Sequence, residues 1–182
     1  MRYWVSKRLQ PFSRVLLVES GSRELLEDLL DGLYAVHPEM KADLVTCYAG
    51  LPAKFDPSRG RAYRVGEYSG SPGRRRLFAE LDANRYTVIG IVCSGEPIMT
   101  KWKWAIAVRL PAKLFILNEN GDYFWFDRGH WPSIRHFILF RAGLSGAGAV
   151  RTLARLVLFP LTLLYLIVYA ATVHLRRKIR TT

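Results

Sequence analysis

Leu156 to Val173 is an 18-residue run without a single charged side chain, and no other feature constrains this chain so strongly. It reads Leu-Val-Leu-Phe-Pro-Leu-Thr-Leu-Leu-Tyr-Leu-Ile-Val-Tyr-Ala-Ala-Thr-Val. As a helix it rises about 27 Å, roughly one hydrocarbon thickness. Eleven of its residues are Leu, Ile, Val or Phe, and at about −0.3 to −0.6 kcal/mol each they favour insertion by a few kcal/mol. The segment is expected to place the protein at a membrane and to leave the first 150 residues to form a globular core.

Charge follows the same division. Residues 1–150 carry 21 basic and 15 acidic groups; residues 151–182 carry six basic groups and no acid. The last acid is Asp127, and Arg135, Arg141, Arg151, Arg155, Arg176, Arg177, Lys178 and Arg180 surround the apolar run. Basic groups beside a span attract anionic headgroups at about 1 kcal/mol each when well placed, so membrane lipid is the expected partner of these eight residues. Nucleic acid is the competing partner of a basic chain. It ranks lower, because no recognition motif is present and the charge bias tracks the apolar segment. Cys47 and Cys93 both lie in apolar runs that read as buried strands, which suits reduced thiols better than a disulfide. Neither a metal-ligand spacing nor a cofactor fingerprint is found. The N-terminal decapeptide is short and charged and lacks the apolar centre of a signal peptide. The globular part is therefore expected on the cytoplasmic side of an inner membrane.

Apolar runs at Arg14–Ser20, Ala42–Tyr48, Tyr86–Cys93 and Lys113–Asn118, with a weaker one at Ala62–Tyr68, predict strands. Between them, Leu25, Leu26, Leu29, Leu30 and Leu33 recur at helical spacing behind Ser22, and Arg74–Asn84 and Lys101–Leu110 read as two further helices. Asn120-Gly121 before Tyr123-Phe-Trp-Phe126 is a hairpin signal. Strands that are apolar throughout, alternating with helices, predict an α/β fold: a Rossmann-like three-layer domain with a mostly parallel sheet, followed by a hydrophobic membrane helix. The expected organisation is an N-terminal extension (1–12), the α/β domain (13–128), a basic aromatic juxtamembrane segment (129–155), the membrane helix (156–175) and a basic tail (176–182).

Ligands of open parallel sheets sit at the carboxyl ends of the strands. Three such ends carry small and polar residues. Ser20, Gly21 and Ser22 would let a phosphate approach a helix N-terminus, or form an ordinary capped turn. Ser94, Gly95 and Glu96 follow the most apolar strand; Glu96 has the chemistry of a general base, with a plain turn as the alternative. Asn118, Glu119, Asn120 and Asp122 could hold sugar hydroxyls or a cation, although their spacing is not that of a calcium loop, or merely close a hairpin. No catalytic residue is assigned. His130 and His136 flank Trp131 and Arg135 as lipid-phosphate or simple interfacial residues. Trp102 and Trp104 read as a membrane-facing or core-edge aromatic pair, with core packing the default, and Arg74–Arg76 as a solvated helix start or part of a basic membrane face.

The ordered texture of Val-Leu-Leu-Val-Glu-Ser-Gly-Ser, Asp-Leu-Val-Thr-Cys-Tyr-Ala-Gly-Leu-Pro and Lys-Leu-Phe-Ile-Leu-Asn-Glu-Asn-Gly-Asp-Tyr-Phe resembles the N-terminal half of bacterial envelope glycosyltransferases with two Rossmann domains, the heptosyltransferase-like group. The likeness covers about residues 13–128. It implies a domain that binds the acceptor, while a C-terminal half binds the nucleotide-sugar. Where that second half begins in the group, this chain carries its apolar segment. The resemblance thus implies a membrane-anchored half-domain in envelope polysaccharide or glycolipid synthesis, holding a glycolipid acceptor or supporting a partner enzyme. The alternative is a non-catalytic single-span accessory subunit of a larger membrane complex, with a membrane protein as partner; a membrane-held nucleotide-binding regulator is a third option. Two geometries suit the apolar run. A span carries Arg176–Arg180 across the membrane against the positive-inside bias. A helix kinked at Pro160 would instead lie in one leaflet with both basic ends at the headgroups.

Overall fold

The computed structural model describes residues 11–144 and 148–180, without the side chains of residues 151, 153 and 175–180. The chain divides into two compact units, residues 1–131 and 132–182.

The first unit is an α/β domain. Its order is β1 (Arg14–Glu19), α1 (Arg23–Val36), β2 (Lys41–Thr46), β3 (Ala62–Arg64), α2 (Gly70–Ala83), β4 (Val88–Cys93), α3 (Thr100–Arg109), β5 (Lys113–Asn118) and β6 (Tyr123–Trp125). The six strands form one sheet in the order β3-β2-β1-β4-β5-β6. All neighbours are parallel except β6, which returns antiparallel along β5 after the Asn120-Gly121 turn.

The register explains why the strands are apolar throughout. Val15 and Leu17 of β1, Ala42 and Leu44 of β2, Val88 and Val92 of β4, and Phe115 and Leu117 of β5 form one cluster with Leu26 and Leu30 of α1. Side chains alternate along a strand, so Leu16, Val18, Val45, Ile89, Ile91 and Ile116 serve the opposite face, and all six are fully buried. There α2 and α3 lie together: the Phe78 and Trp102 rings are 6.1 Å apart, and the Arg109 guanidinium sits over Phe78. Each inner strand is covered on both sides, which removes the polar alternation of a half-exposed sheet.

Local chemistry moves several boundaries. α2 begins at Gly70, four residues before the expected helix start at Arg74, because Pro72 falls where a helix needs no amide donor. The weak third strand is three residues long and passes into a 3-10 turn at Val65–Tyr68. Cys47, expected inside a strand, is exposed. The Thr46 hydroxyl accepts the Tyr48 amide at 3.0 Å, and this local bond ends β2 one residue earlier.

The second unit holds α4 (Trp131–Arg141) and α5 (Gly148–Arg180). The segment expected as one juxtamembrane stretch is thus divided, and the last helix begins well before the apolar run. α5 continues through Pro160. That residue cannot donate to the Leu156 carbonyl, and two residues on the Thr162 hydroxyl donates to the Leu158 carbonyl at 2.9 Å. Ala154–His174 is long and apolar enough to cross a membrane, about 31 Å as a helix.

Candidate ligand site at the sheet crest

The strand order changes direction between β1 and β4, so the connections leaving these neighbours, α1 and α3, depart to opposite sides. A crevice opens at such a point, at the carboxyl ends of the strands. Glu19 and Ser20, Thr46, Cys93 and Asn118 stand along this crest.

Glu19 is its electrostatic centre. The residue is completely buried, and a carboxylate there needs compensation on both oxygens. One oxygen accepts Arg23 Nε at 2.7 Å; the other accepts the Thr46 hydroxyl at 2.5 Å. Arg23 stands one helical turn on, over the Tyr48 ring at 5.2 Å. The Glu19 hydrogen bond raises the Arg23 pKa above the ordinary arginine value, against the opposing effect of desolvation. The Tyr48 hydroxyl reaches back to the Gly21 carbonyl at 3.3 Å, and partial burial pushes its pKa up.

Of the sequence-predicted residues, Ser20–Ser22 and Ser94 come together. The Ser20 hydroxyl donates to the Val92 carbonyl at 2.6 Å. A Cβ on Gly21 would lie 2.9 Å from both the Ser94 amide nitrogen and its hydroxyl, and 2.8 Å from Val92 Cγ1. Gly21 is therefore where the start of α1 closes on the loop after β4. Ser22 occupies the N-cap position of α1 without a side-chain bond. Ser94 Oγ is buried and has no hydrogen-bond partner among the described residues, whereas Gly95 and Glu96 are exposed. Asn118 pairs with Cys93 across β4 and β5, so the third cluster adjoins the second. Its polar groups close their own turn: Asn118 Oδ1 accepts the amides of Asn120 and Asp122, and its Nδ2 donates to Asp122 at 3.3 Å. Glu119 is exposed beside them.

The loop into α3 has an unusual end. Met99 stands at the N-cap in left-handed conformation, φ 49°, and offers no side-chain cap. Non-glycine residues adopt this region uncommonly. Inside the helix, Lys103 is only 5% exposed. Trp102 packs on Phe78, while Trp104 is partly exposed.

Two polar networks occupy the opposite, amino-terminal edge of the sheet. Buried Asp43 accepts the Tyr86 hydroxyl at 2.6 Å and the Arg61 amide at 2.7 Å. Burial, then this bond to Asp43, raises the Tyr86 pKa far above its usual value. Lys113, 1% exposed, bonds Asp127 at 2.7 Å, and Asp127 also accepts His130 Nδ1 at 2.8 Å. Burial alone would raise the Asp127 carboxyl; the Lys113 and His130 bonds outweigh it and hold the pKa at about 2. These pairs tie strand ends together.

In the second unit Arg135, His136, Arg141 and Arg155 are exposed, alongside Ile138 and Phe140. The side chains of Arg151, Arg176, Arg177, Lys178 and Arg180 lie outside the described ones. Compared with known proteins, the chain matches no protein-family model, no curated protein and no solved structure.

Sequence reasoning passed over Thr46, Arg23, Tyr48 and Lys103. A signal existed for Glu19: a carboxylate closing an apolar strand run must find a partner at the strand end.

Proposed function

We propose that the chain is a Rossmann-like domain of glycosyltransferase type, carried on a single membrane-spanning helix, which holds a lipid-linked acceptor for a partner that supplies the donor-binding half. One observation carries this reading. The strand order turns between β1 and β4, bringing Gly21 and Ser94 together at the carboxyl ends of these strands, in the same chain as an apolar helix of membrane length. Ligands of doubly wound sheets occupy that position, and a substrate with a lipid tail explains why such a domain would be tethered at a bilayer. The basic, acid-free segment favours a domain on the cytoplasmic side of an inner membrane, with the exposed Arg135, Arg141 and Arg155 at the headgroups. Glu96 would lie at the mouth of the crevice, positioned to take a proton from an acceptor hydroxyl once a partner brings the donor.

The test is acceptor binding by the full chain in nanodiscs. Polyprenyl-diphosphate-linked sugars and lipid A-type glycolipids are flowed over the immobilised discs, with empty discs as reference. Saturable binding of one of these classes is expected. Absence of binding by any of them, together with failure to form a complex with any purified envelope glycosyltransferase, would overturn the reading.

A specific feature favours the second reading, a single-span accessory subunit. Thr162, Tyr165, Tyr169 and Thr172 follow one another at spacings of three and four along α5 and so share one face, and the two tyrosine rings stack at 6.3 Å. Weakly polar stripes of this kind serve helix–helix packing in membranes. Disulfide formation between single cysteines placed at 162 or 169 and a co-expressed membrane partner would favour it.

A further inference from the structure

Of the three helices of the α/β domain, α1 alone lies on its side of the sheet, since α2 and α3 share the other. The right-handed crossover from β1 to β2 sets α1 over those two strands. On the same side β5 and β6 are left to side chains of their own: Trp125 packs edge-on to Phe115 at 5.7 Å, and Phe12 to Trp125 at 5.9 Å. Between α1 and the β5–β6 hairpin a groove of about 420 Å³ stays open, with Gly32 and Val36 on one wall, Tyr123 and Trp125 on the other, and Phe115 at its base. Val36 is 71% exposed and Tyr123 68%. Exposed apolar side chains gathered along one concavity mark an interaction site rather than chance.

The α1 wall says what fits. Glu24, Asp28, Gly32 and Val36 follow one another at intervals of four, so they form one ridge of the helix. At Gly32 the ridge is notched: a Cβ there would meet nothing within 4 Å. At the crest end of the ridge, Glu24 and Asp28 are exposed and have neither a hydrogen bond nor an ion pair among the described residues. The turn that leads into Tyr123, at the same end of the sheet, adds Glu119 and Asp122. Arg23, Lys54 and Lys113 are committed to Glu19, Asp31 and Asp127. In a chain of net charge +12, this groove therefore has an acidic end. An anionic bilayer would be repelled by it, and a second copy would bring the same carboxylates to it. A cation on an apolar scaffold suits both parts.

We propose that the groove between α1 and the β5–β6 hairpin is a docking site for a basic amphipathic helix of a partner protein. Its apolar side chains fill the notch at Gly32 between Val36 and Trp125, and its Lys or Arg residues meet Glu24 and Asp28. The mode is helix-in-groove recognition, over a ridge of about 18 Å from Glu24 to Val36. The site goes beyond the acceptor reading and does not depend on it, since the groove lies on the flank of the sheet and the acceptor at its crest.

The experiment uses the full chain, isotopically labelled, in a nonionic detergent. It is titrated with a synthetic stapled helix of about four turns, with Leu and Phe on one face and Lys beside them, and separately with the same peptide carrying Glu in place of Lys. Saturable amide shifts at Asp28–His37 and Tyr123–Trp125 are expected with the basic peptide, and binding at least about tenfold weaker with the acidic one. Glu24→Lys combined with Asp28→Lys should reverse that preference, which a merely structural role would not do. Gly32→Leu should abolish binding of the basic peptide while keeping or raising the melting temperature, because the added side chain enters open space. Absence of shifts at these residues in the unsubstituted chain, or equal binding of the two peptides, would overturn the proposal. The occupant in the cell is read by replacing Gly32 of the full chain with a photoreactive amino acid and sequencing the adduct. A basic amphipathic segment of another protein is expected, lost in the doubly charge-reversed chain; an adduct to lipid or to a second copy of this chain would overturn the proposal. Peptide binding without glycolipid binding leaves the docking site standing and sinks only the acceptor reading.

Discussion

Glu19 shows how much of this domain depends on single polar contacts. A buried carboxylate that loses its cation is left uncompensated, at a cost of about 3–5 kcal/mol when fully enclosed. Arg23 is about a third exposed, so water replaces part of the contact and about 2 kcal/mol is expected for Arg23→Met. Near-ultraviolet circular dichroism of the full chain in detergent should show melting roughly 4–8 °C lower; an unchanged midpoint would contradict the role given to the pair. Asp127 offers a pH test. Its folded pKa of about 2 lies below the unfolded value of about 3.9. The stability it contributes is therefore complete above about pH 4 and is lost as pH falls toward 2, about 2 kcal/mol in all. Asp127→Asn should be less stable than the unsubstituted chain at pH 6 by a margin that shrinks toward pH 2 in matched denaturation curves; a constant margin would count against the Lys113–Asp127 pair. Glu19 is visible in the sequence as an acid ending an apolar run. Its partner Thr46 is not, because 27 residues separate them and only the β1–β2 register brings them opposite each other. Lys103 is hidden for another reason: charged and flanked by Lys101 and two tryptophans, it carries no local mark of burial, and only the placement of α3 on the sheet turns it inward.

Among the elements, the inner strands were legible because burial on both faces makes them continuous apolar runs, as in Val88-Ile-Gly-Ile-Val-Cys93. Edge strand β3 and the start of α2 were not, since three residues carry too little pattern and Ser-Gly-Ser-Pro-Gly reads as a turn whether or not a helix begins there. Two glycines mark close approaches that neither propensity nor pattern reveals. A Cβ on Gly90 would lie 2.4 Å from Phe115 Cζ, so Gly90→Ala must displace that ring, at about 1–3 kcal/mol. At Gly21 the obstacle is the Ser94 backbone itself. Gly21→Ala should cost a similar amount, but its signature is local: faster amide exchange in the loop Ser94–Met99, with β2 and β5 unchanged. Uniformly faster exchange across the sheet would show that Gly21 serves the core rather than the crest. The predicted crest clusters were placed by strand order alone, and the sequence could not tell that Asn118–Asp122 closes on itself while Ser94 keeps an unbonded hydroxyl.

For the whole molecule, the two units are joined by a chain that gathers positive charge and loses all acids after Asp127. Cys47 is exposed on the α/β domain and Cys93 is buried, so the natural thiols serve as a topology reporter. With a cysteine added after Thr182, an impermeant maleimide applied to right-side-out vesicles should label the added thiol and leave Cys47 untouched until the membrane is opened. Labelling of both or neither before opening would favour the helix lying in one leaflet. The continuous course of α5 through Pro160 is consistent with the span, since a helix lying in a leaflet needs no unbroken apolar length of 21 residues. The central claim is that this domain receives a lipid-linked acceptor at the crest between β1 and β4. Its most direct test is hydrogen exchange by mass spectrometry on the full chain in nanodiscs, with and without a polyprenyl-diphosphate-linked sugar. The account predicts slowed exchange at residues 94–103 and at 20–23, with the amino-terminal edge around Asp43 and Asp127 unaffected; unchanged exchange at the crest under saturating glycolipid would contradict it.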